Sequence, residues 1–363
     1  MNYFDEITLN GQGYFRDDLV RLVNKGINEP TISDFKKSLY SFIDEWISDK
    51  ITVTVNTSGT TGMPKSISFR KEQFINSALM TCNYFNLTDR TTGLLCLSPD
   101  YIAGKMMVVR AFVSGMDLIT LEPSDKPLLG IAGKKIDFAA FVPLQVQNLS
   151  GNEISKKRFQ TIKNVIIGGA PISPSLEKEL ESYTNSIYAT FAMTETLSHV
   201  ALRRLSGKSR SDKYFALQGV DFESDNRGCL IVNAPLVNDA PVITNDIVEL
   251  NDSTHFKWLG RYDNVINSGG IKIHPEIVEN KLATLIPDHR FFIAALPDEK
   301  FGQKVVIVIE VPENMDIAGI KTLTEKTLSK YEIPKEYYRV EKFIETPTGK
   351  VKKEETLKLA TQF

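Results

Sequence analysis

Cysteine is scarce in this chain: Cys82, Cys96 and Cys229 are the only three in 363 residues. They are far apart, odd in number and form no CxxC pair, which excludes a cysteine-rich zinc module and fits a reducing compartment. Histidine is sparse too. His199, His255, His274 and His289 form no HExxH and no cluster of metal-ligand spacing. No window reaches about 18 uninterrupted apolar residues. The N-terminus, MNYFDEITLNGQGYF, has neither a basic n-region nor an apolar h-region, so the expected location is cytoplasmic, without membrane insertion. Excess charge is also missing, because 43 Lys and Arg face 45 Asp and Glu for a net charge of -2. A generic binder of nucleic acid or of an acidic membrane surface is therefore disfavoured.

What is present reads as an ordinary globular chain with room for two or three domains and no fixed-period repeat. In TISDFKKSLYSFIDEWIS, Ile32, Phe35, Leu39, Phe42 and Trp46 recur at helical spacing behind a Ser33 cap. After it, short apolar segments (ITVTV, TGLLCLS, MDLITLE, DFAAFVP, NVIIGG) alternate with longer helical patterns (KEQFINSALMTCNYF, AGKMMVVRAFVSG, PSLEKELESY). This alternation predicts an α/β domain with mostly parallel sheets and ligands at the carboxyl ends of its strands. Past residue 260 the pattern becomes helix, two strands, helix and basic tail, as in a small α+β domain. The expected organisation is a large domain over 1–261 and a small, mobile C-terminal domain over 262–363.

The densest chemical signal is VTVNTSGTTGMPKSISF. Gly59 and Gly62 permit convergence of backbone N–H groups, Thr57, Ser58, Thr60 and Thr61 add hydroxyls, and Lys65 adds a point charge, which together suit phosphate. It is not a Walker loop. The glycines are three apart, Lys65 follows Met63 and Pro64, and KSISF alternates like a strand where a P-loop opens a helix. Read by itself, the stretch is also compatible with a solvated hairpin turn.

TSGTTGMPK resembles the signature loop of the adenylate-forming superfamily: acyl-CoA synthetases, adenylation domains and luciferases. Five further blocks resemble that family's pattern in order: GGAPIS (168–173), TFAMTET (190–196), TND (244–246), GRYDNVINSGGIKIHPEIVE (260–279) and PTGKVKK (347–353). The resemblance implies ATP, Mg²⁺ and coenzyme A as partners of a small carboxylic acid. It implies phosphate contacts from Thr57 to Gly62 and Lys65, an adenine-side turn at Gly169, Ala170 and Pro171 with Phe191 beside it, and Thr194 near the α-phosphate. It further implies Glu195 as the Mg²⁺ carboxylate and Asp246 with Arg261 at the ribose. Lys350 would bridge the acid and the α-phosphate, Asp263 would be the hinge of the small domain, and Gly269 with Gly270 would line the thiol channel.

Two departures stand out. Phe191 and Ala192 replace the common Tyr–Gly pair, and SPDYIAGKMM lacks the usual histidine, offering Tyr101 and Lys105. The N-terminal region is also short for the family, which leaves apolar edges open to cover by a second subunit in a homodimer. Within the superfamily, YIAGKMMVVRA and MTETLSHVALRRL most resemble the o-succinylbenzoate-CoA ligases of menaquinone biosynthesis. That branch implies an aromatic keto-diacid, with His199, four residues after Glu195 and on the same side if the segment is helical, and Lys105 as candidate contacts. The competing readings are an adenylating enzyme that loads a carrier protein's phosphopantetheine and a nucleotide-binding module without chemistry.

Overall fold

The computed structural model describes residues 3–56, 66–131, 133–149, 151–283, 285–287, 289–312, 315–345 and 351–362. A six-stranded parallel block forms its centre, in the order Glu6–Leu9, Asp117–Thr120, Thr92–Leu95, Phe138–Phe141, Asn164–Ile167 and Ser186–Ala192. These strands are apolar on both sides because each face meets its own core. Phe138, Ala140 and Ile166 join one cluster, Ala139, Phe141, Val165 and Ile167 the other. The helices Asp34–Ile47, Lys71–Phe85 and Ile102–Ser114 cover the first face. Ser33 caps the first of them, its hydroxyl accepting from Lys36 N at 3.3 Å.

Two expectations are revised. ITVTV is not a parallel strand: Thr52–Asn56 pairs antiparallel with Ser66–Arg70 in a separate two-stranded sheet, the arms on either side of 57–65. The second half of the main sheet is antiparallel, continuing from Ser186–Ala192 through His199–Arg204, Tyr214–Ala216, His255–Arg261, Val242–Asp252, Cys229–Asn233 and Asp221–Ser224. At the far edge, Gln12–Phe15 folds back on Glu6–Leu9, so this chain's own hairpin lies outside Asp117–Thr120.

The main sheet's last strand in sequence ends at Arg261, and a second sheet begins at Ile266. That sheet runs Ile271–Ile273, Ile266–Ser268, Gly302–Glu310, Arg290–Asp298, with Glu336–Val340 parallel beside Gly302–Glu310. Its core, including Ile266, Val278, Leu282, Val305 and Ile307, is separate from those of the main sheet. All three cysteines are buried and unpaired. Among the described residues no helix is long and apolar enough to cross a membrane.

Candidate active site

Two of the singled-out blocks meet at the carboxyl end of the parallel block because their strands are neighbours, Ile167 opposite Ala189. GGAPIS leaves Asn164–Ile167 as a partly exposed turn in which Gly169 has φ +84°. Gly168 is required for a different reason: a Cβ there would lie 2.2 Å from Thr190 Oγ1, whose hydroxyl donates to Ile167 O at 3.2 Å. The turn and TFAMTET are thus locked edge to edge. Ala170 is half-buried and Pro171 exposed in the same turn.

After Ser186–Ala192 the chain makes a single 3-10 turn, Thr194–Thr196, and then a γ-turn at Leu197 with φ +63° and ψ -50°. Ser198 N donates to Thr196 O at 2.6 Å across it. A buried, γ-branched residue in that conformation stores about 1–3 kcal/mol of strain. The surroundings hold it there. Thr196 Oγ1 accepts from Met193 N at 3.2 Å and lies 3.1 and 2.9 Å from the carbonyls of Met193 and Ser198. Asn238 Nδ2 donates to Glu195 O at 2.7 Å.

The result is an exposed Glu195 side chain whose carboxylate has no partner among the described residues. Thr194, half-buried, precedes it. A free, hard anionic oxygen fits Mg²⁺, which takes one or two protein carboxylates and fills its remaining positions with water and phosphate oxygens. No group of three or more His, Cys, Asp or Glu that could hold a metal ion occurs among the described residues.

His199 opens the strand His199–Arg204, so the helical spacing that would place it beside Glu195 does not form. Its ring is 3% exposed, with Nε2 3.1 Å from Thr81 Oγ1. Thr81 Oγ1 also lies 3.3 Å from Ser77 O, so threonine, imidazole and helix carbonyl form one buried polar group. Burial, reinforced by the Arg110 guanidinium, holds His199 well below the usual imidazole range. The unfolded chain therefore binds the extra proton first, and stability falls as pH drops below the unfolded histidine value of about 6.5, by up to ~1.4 kcal/mol per pH unit. Urea midpoints between pH 7.5 and 5.5 are expected to fall for the wild type and to fall less for His199→Gln.

Lys105 is likewise engaged elsewhere. Its ammonium lies 3.6 Å from Glu45 and 4.4 Å from the centre of the Phe42 ring, with burial lowering its pKa, so it ties the helix Ile102–Ser114 to Asp34–Ile47. Arg203 pairs with Glu177 at 2.5 Å, and Arg204 donates to Ser186 and Tyr188, each at 3.0 Å. Phe191 is half-buried, its ring 5.0 Å from Phe256 and 5.8 Å from Tyr214, both edge-on.

Asp246 and Arg261 are brought together by register, standing opposite each other on Val242–Asp252 and His255–Arg261. Asp246 is 7% exposed; its Oδ1 accepts from Trp258 Nε1 at 2.9 Å and its Oδ2 from Arg261 Nη1 at 3.3 Å. Each oxygen retains a lone pair for a hydroxyl. Arg261 also reaches Asp263 at 3.5 Å, and Asn245 Nδ2 donates to the same carboxylate at 3.1 Å. Arg227 extends the network, donating to Asn245 Oδ1 at 3.0 Å while lying 5.1 Å over the Tyr262 ring. Asn245, Trp258 and Arg227 were absent from the sequence expectation. Asn245 alone lay inside a singled-out block, TND.

Gly269 and Gly270, with φ +62° and +85°, form the two-residue turn between Ile266–Ser268 and Ile271–Ile273. The hairpin itself demands positive φ at both, so their presence needs no ligand to explain it. The phosphate-loop residues Thr57, Ser58, Gly59, Thr60, Thr61, Gly62 and Lys65 lie outside the described residues, as does Lys350. Beyond Lys350, Lys353 is anchored: its ammonium meets the carboxylate of Glu279 at 2.7 Å and lies 5.5 Å over Phe292.

The family model described as AMP-binding enzyme matches residues 29–221. A 2-succinylbenzoate–CoA ligase of Listeria monocytogenes is 24% identical over 361 residues, covering 93% of this chain and 76% of that protein. Among solved structures, an acyl-CoA synthetase (AMP-forming)/AMP-acid ligase II-like protein from Dyadobacter fermentans is 35% identical with a TM-score of 0.62, covering 94% of this chain and 98% of that one. The o-succinylbenzoate CoA synthetase of Bacillus subtilis, in complex with its acyl-adenylate, has a TM-score of 0.76 at 15% identity, with 96% of each chain covered.

Proposed function

Because this chain belongs to the AMP-binding enzyme family, we propose that it is an AMP-forming acid–thiol ligase, and that its acid is 2-succinylbenzoate. The observation that carries the chemistry is the exposed Glu195 carboxylate, without a partner among the described residues, held on a strained turn at the carboxyl end of the parallel block beside the GGAPIS turn. The choice of acid is supported by the relatives, several of which are 2-succinylbenzoate–CoA ligases of 21–24% identity.

In this reading the acid's carboxylate attacks the α-phosphorus of ATP, releasing pyrophosphate, and the CoA thiolate then attacks the acyl carbon, releasing AMP. Two anions must be joined, so cations from several segments are needed. Thr57 to Gly62 and Lys65 cradle the departing phosphates. Gly169, Ala170, Pro171 and Phe191 face the adenine, Asp246 and Arg261 the ribose, and Thr194 the α-phosphate. Glu195 would hold Mg²⁺, which when bound would neutralise phosphate charge. Lys350 spans the acid and the α-phosphate. The boundary is placed between 261 and 262, with Asp263 the hinge, and Gly269 and Gly270 beside the path of the thiol. Lys105 and His199 are left out of the acid's contacts, since both are engaged within the chain. The reading carries with it a cytoplasmic enzyme, and its subunit state, monomer or homodimer, is read by sedimentation.

The test is pyrophosphate release across a panel of aromatic, dicarboxylic and fatty acids, with and without CoA. 2-Succinylbenzoate is expected to exceed benzoate in kcat/KM by at least about 100-fold, since a site built for a second polar group rejects the analogue lacking it. Parity between the two would remove the acid and leave the ligase. Pyrophosphate release with no acid in the panel would contradict the ligase itself. Preference for a carrier protein over free CoA would favour the phosphopantetheine-loading alternative.

A further inference from the structure

The helix Ile102–Ser114 carries one charge in its inner half, Arg110, in the otherwise apolar run MMVVRAFV. The side chain is 2% exposed and makes no ion pair among the described residues. Its Nη2 donates to Ser198 Oγ at 3.1 Å, its Nη1 lies 3.7 Å from Met107 Sδ, and its Nε is buried without a partner. Burial alone lowers its pKa to about 10. A lone cation in a core is a stability liability, since desolvation is offset neither by a carboxylate nor by a full set of acceptors. Its single good polar contact is to the residue that follows the strained Leu197.

That placement has a consequence for Glu195. The γ-turn at Leu197 persists only if both of its ends are held. Thr196 Oγ1 lies by the Met193 carbonyl on the leading side and by the Ser198 carbonyl on the trailing side, so it ties the backbone across the turn, and Asn238 holds the Glu195 carbonyl. The trailing side chain, Ser198, is fixed to a rigid, fully packed helix by Arg110 alone among the described residues. We propose that Arg110 is a positioning residue, which through Ser198 clamps the strained turn and so fixes the direction of the Glu195 carboxylate. The inference rests on the reading of Glu195 as the Mg²⁺ carboxylate, and it assigns the buried charge a role in function at the expense of stability.

Three variants test it in the full chain: Arg110→Met, which keeps the volume, Arg110→Lys, and Ser198→Ala. Arg110→Met is expected to melt at or above the wild-type temperature. In ligand-free protein, amide exchange over 193–199 should quicken by about tenfold or more in Arg110→Met and Ser198→Ala, with the central strands unchanged. The Mg²⁺ concentration for half-maximal pyrophosphate exchange should rise about 10- to 100-fold, the usual effect of removing a group that orients a ligand. Arg110→Lys should recover part of that loss. If exchange over 193–199 and the Mg²⁺ response stay at wild-type levels in both Arg110→Met and Ser198→Ala, the inference is overturned. Should Arg110→Met fail to fold, Ser198→Ala decides by the same two readouts. Glu195→Gln separates the levels: if that variant keeps the wild-type Mg²⁺ response, the underlying reading of Glu195 fails, whereas loss in Glu195→Gln with a silent Ser198→Ala sinks only the role of Arg110.

Discussion

Replacing Lys350 with alanine is expected to slow acyl-adenylate formation by about 10²- to 10³-fold, the cost of removing one preorganised donor from a site where charge develops. Attack of CoA on supplied acyl-adenylate should remain within about twofold of wild type, because that step expels AMP without joining two anions. The asymmetry is the informative part. A lysine that only stabilised the small second sheet would depress both half-reactions together. Isotope exchange between pyrophosphate and ATP measures the first half-reaction, and rapid quench with synthetic acyl-adenylate and CoA measures the second. Equal loss in both would contradict the assignment.

Glu195→Gln is expected to lower pyrophosphate exchange on the order of 10³-fold, in line with the several kcal/mol that a bound cation supplies to charge development at a phosphoryl group. The same change should leave stability within about 0.5 kcal/mol of wild type, since the side chain is exposed and bonded to no other described residue. Amide and carboxylate have the same shape, so the loss isolates the charge on one oxygen. Urea unfolding alongside an Mg²⁺ titration of the exchange rate checks both halves, and a fall in both stability and activity would assign Glu195 a structural role.

The parallel half of the main sheet was legible because its strands are apolar on both faces and separated by helical patterns; DFAAFVP and NVIIGG could hardly be anything else. The antiparallel half was not. HVALRR and TNDIVEL mix polar and apolar positions over short spans, and MTETLSHVALRRL carries apolar residues at spacings compatible with a helix. What stops the helix is a local competitor that apolar spacing does not show: the Thr196 hydroxyl takes the neighbouring backbone groups, and Leu197 stands at positive φ. His199 was misplaced for that reason. The meeting of Asp246 with Trp258 and Arg261 depends on strand register, which residue types alone do not reveal. The two glycines of INSGGIKI were ambiguous in a different way, because a tight hairpin and a close-passing ligand select glycine equally. Arg110 was readable in principle, as a lone charge between MMVV and AFV. Its lack of an ion partner was not.

The most direct measurement of the central chemistry follows oxygen. If 2-succinylbenzoate labelled with ¹⁸O in its reacting carboxylate is turned over with ATP, Mg²⁺ and CoA, one labelled oxygen is expected in each AMP. The acid's oxygen becomes the bridge to phosphorus, and thiol attack then breaks the bond between that oxygen and the acyl carbon. Unlabelled AMP, or ADP and phosphate as products, would contradict adenylation of the acid.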